Sequence, residues 1–310
     1  MSDLREVSVP VATVWTRPGA PRDLDEAAVR DLPDMAAWVE VLDAEGNADR
    51  RLGLHGRTLT QLLVGEPVEV LEERDGWARV VAPWQDSSGD ERGYPGWVRS
   101  AHLGNPAAPG TGADVRVTVP AATAVRDDGV ELALSCGTRL ARVGGEEDDV
   151  CVALPGGHTA RLRRDDVALD DAQDRPAWTP EALLATARQF LGVKYLWGGT
   201  SGWGLDCSGL VHLTLRAHST GLPRDAFDQV ASRRVRPVAL DDVEPGDLYF
   251  FARPGERVYH VGFVTRPVAD DGTRWMLHAP EGGAAAIEDA PLAPHRAETL
   301  VAAGRVECPR

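Results

Sequence analysis

The sequence predicts an α+β domain preceded by two small all-β units. Three observations carry that expectation: a strand-and-turn rhythm recurring after about 60 residues, breaks near residues 110 and 175, and a final third whose apolar helices precede its strands. Residues 67–81 alternate apolar and polar side chains on both sides of Asp75-Gly76, a two-residue hairpin signal, and residues 93–98 add a short strand. The rhythm returns at 138–143, 149–154 and 159–162. Each copy ends on a similar phrase, Trp97 to Leu103 in the first and Ala160 to Val167 in the second. The first copy carries an extra stretch, residues 23–60, whose Leu24, Ala27, Ala28 and Leu32 have helical spacing. That insertion serves either as packing or as a partner surface.

This weak repeat resembles a pair of bacterial SH3-like barrels, the first with the helical insertion. Asn105 to Gly112, rich in proline and small residues, separates the two, and the polar run Asp170 to Pro176 precedes the third domain. The boundaries implied are 1–108, 114–172 and 177–310. In the third domain Thr179-Pro180 opens a helix that runs apolar at helical spacing to Gly192. A second helix begins at Cys207, and strands are expected at 247–251, 258–264 and 274–279.

A formal net charge of −15 excludes the clustered basic surface that nucleic acid or an anionic membrane face requires. Cys136, Cys151, Cys207 and Cys308 have no metal-ligand spacing and make a poor disulfide framework, so a reducing compartment suits them. The N-terminal residues have no basic start and no apolar core, and no apolar run approaches the ~20 residues that span a bilayer. A soluble, cytoplasmic protein is expected.

One thiol stands out. A glycine-rich, aromatic-bearing loop, Tyr195 to Asp206, delivers Cys207 to a helix start, where backbone N–H groups favour the thiolate. A nucleophile needs a base, and the base needs an orienting partner. His260 and His278 fall at corresponding places in consecutive strands, where antiparallel pairing puts both rings on one face. By spacing alone they are equally well core or surface histidines.

The blocks Trp197-Gly198-Gly199, Gly204 to Leu210, Pro245-Gly246-Asp247-Leu248, His260-Val261-Gly262 and Leu277-His278-Ala279 resemble, in family order, the NlpC-type papain-like cell-wall peptidases. The longer loop, followed by Arg224-Asp225, is similar to the branch that cleaves γ-D-glutamyl-L-diamino acid bonds, which also carries two SH3-like barrels. The resemblance implies a papain-like cysteine peptidase domain with Cys207, His260 and His278 as catalytic triad and Tyr195 beside the thiol. It implies a free murein peptide as substrate, L-Ala-γ-D-Glu joined to a diamino acid, and no metal or organic cofactor. The substrate's amine would be held by Asp206, Tyr94 and Glu66, with Ser208, Trp197, Arg224 and Asp225 among the substrate contacts. The residues leave plainer roles open: Asp206 as a helix cap, Tyr94 as barrel filler, Glu66 in an exposed turn. Ala226 departs from the hydroxyl residue the branch often carries after Arg-Asp. A wall-acting amidase or acyltransferase on the same fold, or a wall-fragment-binding protein without activity, are the alternative functions.

Overall fold

A computed structural model describes residues 3–44, 49–171, 178–282 and 285–307. The linker at 170–176 and Cys308 therefore lie partly or wholly outside the described residues, as do Met1 and Ser2.

The first unit is a seven-stranded sheet in the order Thr58–Leu63, Val11–Trp15, Tyr94–Arg99, Trp77–Ala82, Pro67–Arg74, Asp3–Val7, Leu103–Gly104. The Asp75-Gly76 hairpin forms as expected, both residues taking positive φ (51° and 74°), the conformation that two-residue hairpins favour. The insertion differs in detail from its sequence pattern. Only the short helix Glu26–Val29 follows the Leu24 to Leu32 spacing, and Leu32 is half exposed outside it. Asp34 starts a new helix, Met35–Asp43, by accepting a hydrogen bond from the Ala37 N–H. The strand Thr58–Leu63 then begins inside the span expected to be insertion.

Met35, Trp38 and Leu42 bury one face of that helix, and together with Trp15 they join a continuous apolar core with Tyr195, Leu205 and Leu210 of the third domain. Between packing and a partner surface, this face of the insertion is packing. Polar ties reinforce the seam: Gln61 accepts from Thr200 N and Ser201 Oγ, and Thr58 Oγ1 donates to the Trp197 carbonyl at 2.7 Å.

Residues 115–169 form a second all-β unit of one five-stranded and one three-stranded sheet. The repeated phrase has a structural counterpart: strands Tyr94–Arg99 and Thr159–Arg163 each run into a single 3₁₀ turn, Ser100–His102 and Arg164–Asp166, and then a short strand.

In the third domain Thr179 caps the helix Pro180–Arg188, and Asp206 caps Cys207–Ala217. A six-stranded antiparallel sheet follows, in the order Val235–Val238, Leu300–Val306, Leu248–Ala252, Val258–Val264, Trp275–His278, Glu288–Pro291. The Cys207–Ala217 helix packs on the Val258–Val264 strand, which brings the cysteine beside the histidine strands. Among the described residues no helix is long and apolar enough to cross a membrane, and Cys136, Cys151 and Cys207 are free thiols.

Candidate active site

Cys207 is the first residue of its helix, and the chain before it is held by short-range chemistry. Asp206 Oδ1 accepts the Gly209 N–H at 2.7 Å and Oδ2 accepts the Gly198 N–H at 2.9 Å, so one carboxylate closes both the helix start and the glycine loop. Gly209 is required by close approach: a Cβ there would lie 2.0 Å from the Gly199 carbonyl oxygen. The thiol rests against the backbone on either side of His260, with Sγ 3.9 Å from the Tyr259 carbonyl oxygen and drawn on by the Val261 N–H. Burial, followed by the Asp206 and Glu281 charges, pushes this thiol up to about 12, although the Val261 and Ser208 N–H groups pull the other way. The N–H groups at the helix start favour the thiolate as expected, and desolvation and the two carboxylates oppose them.

His260 Nε2 lies 2.8 Å from His278 Nδ1, with the two rings perpendicular. The strands pair through Phe263↔Leu277 and Val264↔Met276, which sets His278 beside Gly262. A Cβ at Gly262 would sit 2.8 Å from the His278 Cβ, so the glycine of His260-Val261-Gly262 makes room for the second histidine. His260 Nδ1 is buried without a hydrogen-bond partner. Burial, with the Arg296 charge next, takes His260 well below the ordinary imidazole range and His278 to about 3. Both rings are therefore neutral at pH 7. Glu288, which faces His278 across the strand pair, brings Oε1 to 3.5 Å from His278 Nε2.

The thiol opens into a cleft of about 440 Å³ between the first unit and the third domain. Of the residues predicted from sequence, Tyr94, Tyr195, Trp197, Asp206, Ser208 and Asp225 line it together with Cys207. Tyr94 donates its hydroxyl to Asp225 Oδ2 at 2.9 Å, a contact between residues 131 apart in the chain. Burial raises the Asp225 carboxyl, against the pull of Arg224 and Tyr94. Asp206 is both a helix cap and a cleft residue, so the plainer role and the functional one are compatible.

Two predicted contacts lie elsewhere. Glu66 is not in the cleft: it is fully buried where the first unit meets the Cys207–Ala217 helix, ion-paired to Arg216 at 2.5 Å and accepting the Leu63 N–H. A charge sealed into that interface has its own counterion and no path to substrate. Arg224 is also fully buried and supports the site from behind. Its guanidinium grips Asp206 through both oxygens (3.0 and 2.6 Å), reaches Ser208 Oγ, and donates Nε–H to Thr60 Oγ1 of the first unit. The structure also adds residues that sequence reasoning missed. Glu281, three residues after His278, lines the cleft, and its proximity to a candidate catalytic residue was the available signal. His55, at the end of the insertion, lines it too and meets Trp197 edge-on at 4.1 Å, for which the sequence carried no signal. Among the described residues no group of three or more His, Cys, Asp or Glu side chains is placed to hold a metal ion.

A thiol at a helix start, packed on an antiparallel sheet that presents a histidine pair, is the arrangement of papain-like cysteine peptidases. The NlpC/P60 family pattern matches residues 192–302, and the bacterial dipeptidyl-peptidase SH3 domain pattern matches residues 53–103. Over 278 residues the chain is 36% identical to the γ-D-glutamyl-L-lysine dipeptidyl-peptidase of Bacillus subtilis, covering 88% of each chain. It is 32% identical to the protein of the same name from Bacillus cereus, covering 88% of this chain and 82% of that one. The crystal structure of an NlpC/P60 family protein from Bacillus cereus superposes with a TM-score of 0.87 at 29% identity, covering 98% of this chain and 99% of the other. The chain belongs to the NlpC/P60 family, and it combines that papain-like fold with an SH3-like domain.

Proposed function

We propose that this protein is a cysteine endopeptidase that hydrolyses the γ-D-glutamyl–diamino acid bond of free murein peptides bearing an N-terminal L-Ala. It would release L-Ala-γ-D-Glu in the recycling of wall peptides in the cytoplasm, where free thiols such as Cys136 and Cys151 persist. The domains are read as SH3-like barrels at 1–108 and 114–172 and the peptidase at 177–310. The observation that carries the proposal is one cleft holding both the Cys207 thiol and the hydrogen-bonded Tyr94–Asp225 pair.

The amine end follows from charge. Arg224 neutralises one of the two carboxylates it touches, Asp206 at 2.6 Å and Asp225 at 4.0 Å, leaving one negative charge unmatched. A substrate ammonium supplies the match, resting on Asp225 and the Tyr94 oxygen while Asp206 faces it from the Cys207 side. An acylated alanine removes the charge and adds bulk, leaving a desolvated carboxylate unpaired.

In the chemical step, His260 Nε2–H donates to His278 Nδ1, which leaves His260 Nδ1 free to take the thiol proton. Cys207 Sγ attacks the γ-carbonyl of D-Glu, and the Cys207 N–H with the Tyr195 hydroxyl stabilises the oxyanion. The proton on His260 passes to the α-amine of the leaving diamino acid, and water then hydrolyses the thioester. The imidazolium formed midway is stabilised through His278, whose own N–H faces Glu288.

The test is turnover of L-Ala-γ-D-Glu-diamino acid and its N-acetylated form, followed by mass spectrometry. The wild type should cleave the free peptide and spare the acetylated one, and Cys207→Ala should cleave neither. Cleavage by Cys207→Ala would sink the mechanism, and equal cleavage of both peptides would sink the amine site.

A further inference from the structure

Arg224 reaches both carboxylates of the proposed amine site, Asp206 at 2.6 Å and Asp225 at 4.0 Å. Whatever fixes its guanidinium therefore fixes how those two acids stand to one another. Two of its bonds come from the first unit. The Arg224 backbone N–H donates to the Asp86 carbonyl at 3.0 Å, and Nε–H donates to Thr60 Oγ1 at 2.9 Å.

Thr60 can accept that bond because its own proton is committed elsewhere. A threonine hydroxyl has one proton and two lone pairs, whereas an arginine N–H can only donate. Thr60 Oγ1 lies 2.6 Å from Gln85 Oε1, so the proton goes to Gln85 and a lone pair faces Arg224. Gln85 is in turn held one way round. Its Nε2 lies 2.7 Å from the Gln61 carbonyl, which only accepts, so the amide nitrogen faces Gln61 and the oxygen faces Thr60. The same nitrogen is 3.5 Å from Glu66 Oε2, and Glu66 is anchored by Arg216 and the Leu63 N–H. Turning the amide over would set its oxygen against a carbonyl and a carboxylate. Thr60, Glu66, Gln85 and Arg224 are all fully buried, where bulk water does not replace a lost partner.

We infer that Thr60 and Gln85 of the first unit are positioning residues for the substrate-amine site. Gln85 orients the Thr60 hydroxyl, Thr60 orients Arg224, and Arg224 sets Asp206 against Asp225. This rests on the peptidase reading above. Glu66, expected from the sequence to hold the amine, stands instead at the far end of this chain and acts through Gln85. The effect falls on binding, because the amine lies away from the bond that breaks and its contacts are the same before and during the chemical step.

The experiment measures KM and kcat separately for L-Ala-γ-D-Glu joined to L-Lys and to meso-diaminopimelate. Thr60→Val keeps the shape and removes the hydroxyl; it should raise KM about fivefold, the ratio for one hydrogen bond, with kcat little changed. Thr60→Ser keeps the hydroxyl and should match the wild type. Gln85→Met releases the Thr60 proton to turn toward Arg224 and should raise KM by a similar factor. The double variant Thr60→Val/Gln85→Met should be no worse than Thr60→Val alone, since the two side chains act in series. Wild-type KM in Thr60→Val, an equal loss in Thr60→Ser, a fall in kcat at constant KM, or additive losses in the double variant each overturn the inference and leave the peptidase reading standing. Should Thr60→Val be too unstable to assay, Gln85→Met decides by the same comparison of KM with kcat. A wild type that cleaves neither peptide overturns the peptidase reading and this inference with it.

Discussion

Arg224→Met offers the most direct test of how the site is held. The guanidinium is fully buried, yet it touches no open part of the cleft: it binds both Asp206 oxygens, Ser208 Oγ and Thr60 Oγ1. Methionine fills most of the volume but removes every one of those donors. Asp206 would keep the Gly198 and Gly209 N–H groups and the Ser208 hydroxyl, and it would lose the countercharge 2.6 Å away. Removing one partner of a buried ion pair costs about 3–5 kcal/mol, because the other charge stays behind. At about 2 °C per kcal/mol for a chain of this size, the melting temperature should fall by roughly 6–10 °C. Urea unfolding followed by tryptophan fluorescence measures the loss, and the double variant Asp206→Asn/Arg224→Met should recover part of it, since Asp206 then carries no charge to strand. A loss below about 1 kcal/mol, or a double variant no better than the sum of the singles, would show that the pair is not the keystone its geometry describes.

Acid should destabilise the fold through its histidines. His102 is held at about 4, His212 and His278 at about 3, and His260 well below its usual value, each chiefly by burial. The unfolded chain takes up these protons first, so this stability is complete above about pH 6.5 and is lost as pH falls toward the folded values. Each histidine contributes about 1.4 kcal/mol per pH unit in that window. Urea midpoints measured from pH 7 to 5 should drop steeply, and a flat profile would contradict the burial argument. Tyr94→Phe removes the hydroxyl bonded to Asp225 and should raise KM for the free peptide about tenfold with kcat little changed. Equal kinetics would show that Tyr94 only fills the barrel. Gly209→Ala drives a methyl group into the Gly199 carbonyl and should abolish activity while the far-ultraviolet circular dichroism stays near normal. Wild-type turnover would mean the loop can yield.

The candidate nucleophile was legible because its geometry is local. Asp206, Gly209 and Cys207 lie within four residues, and the cap, the close glycine approach and the helix start all act over that span. The histidine pair was legible because strand periodicity places His260 and His278, and Gly262, on the His260 strand, leaves room for His278. The proposed amine site was only half legible. Glu66 and Asp225 look alike in sequence, each an acid beside a turn. Docking of the first unit seals Glu66 against Arg216, 150 residues away, and opens Asp225 to Tyr94, 131 residues away.

The sequence alone therefore determined the chemistry: a capped helix-start thiol, two strand-borne histidines, and a repeated small β unit before them. Those depend on contacts between near neighbours in the chain, which residue spacing encodes. Tertiary structure decided which charges line the cleft. Whether a carboxylate is sealed beside an arginine or left open in a cleft depends on how separate units pack. It also set the surroundings that raise the thiol, because the cost of burying a charge comes from everything around it.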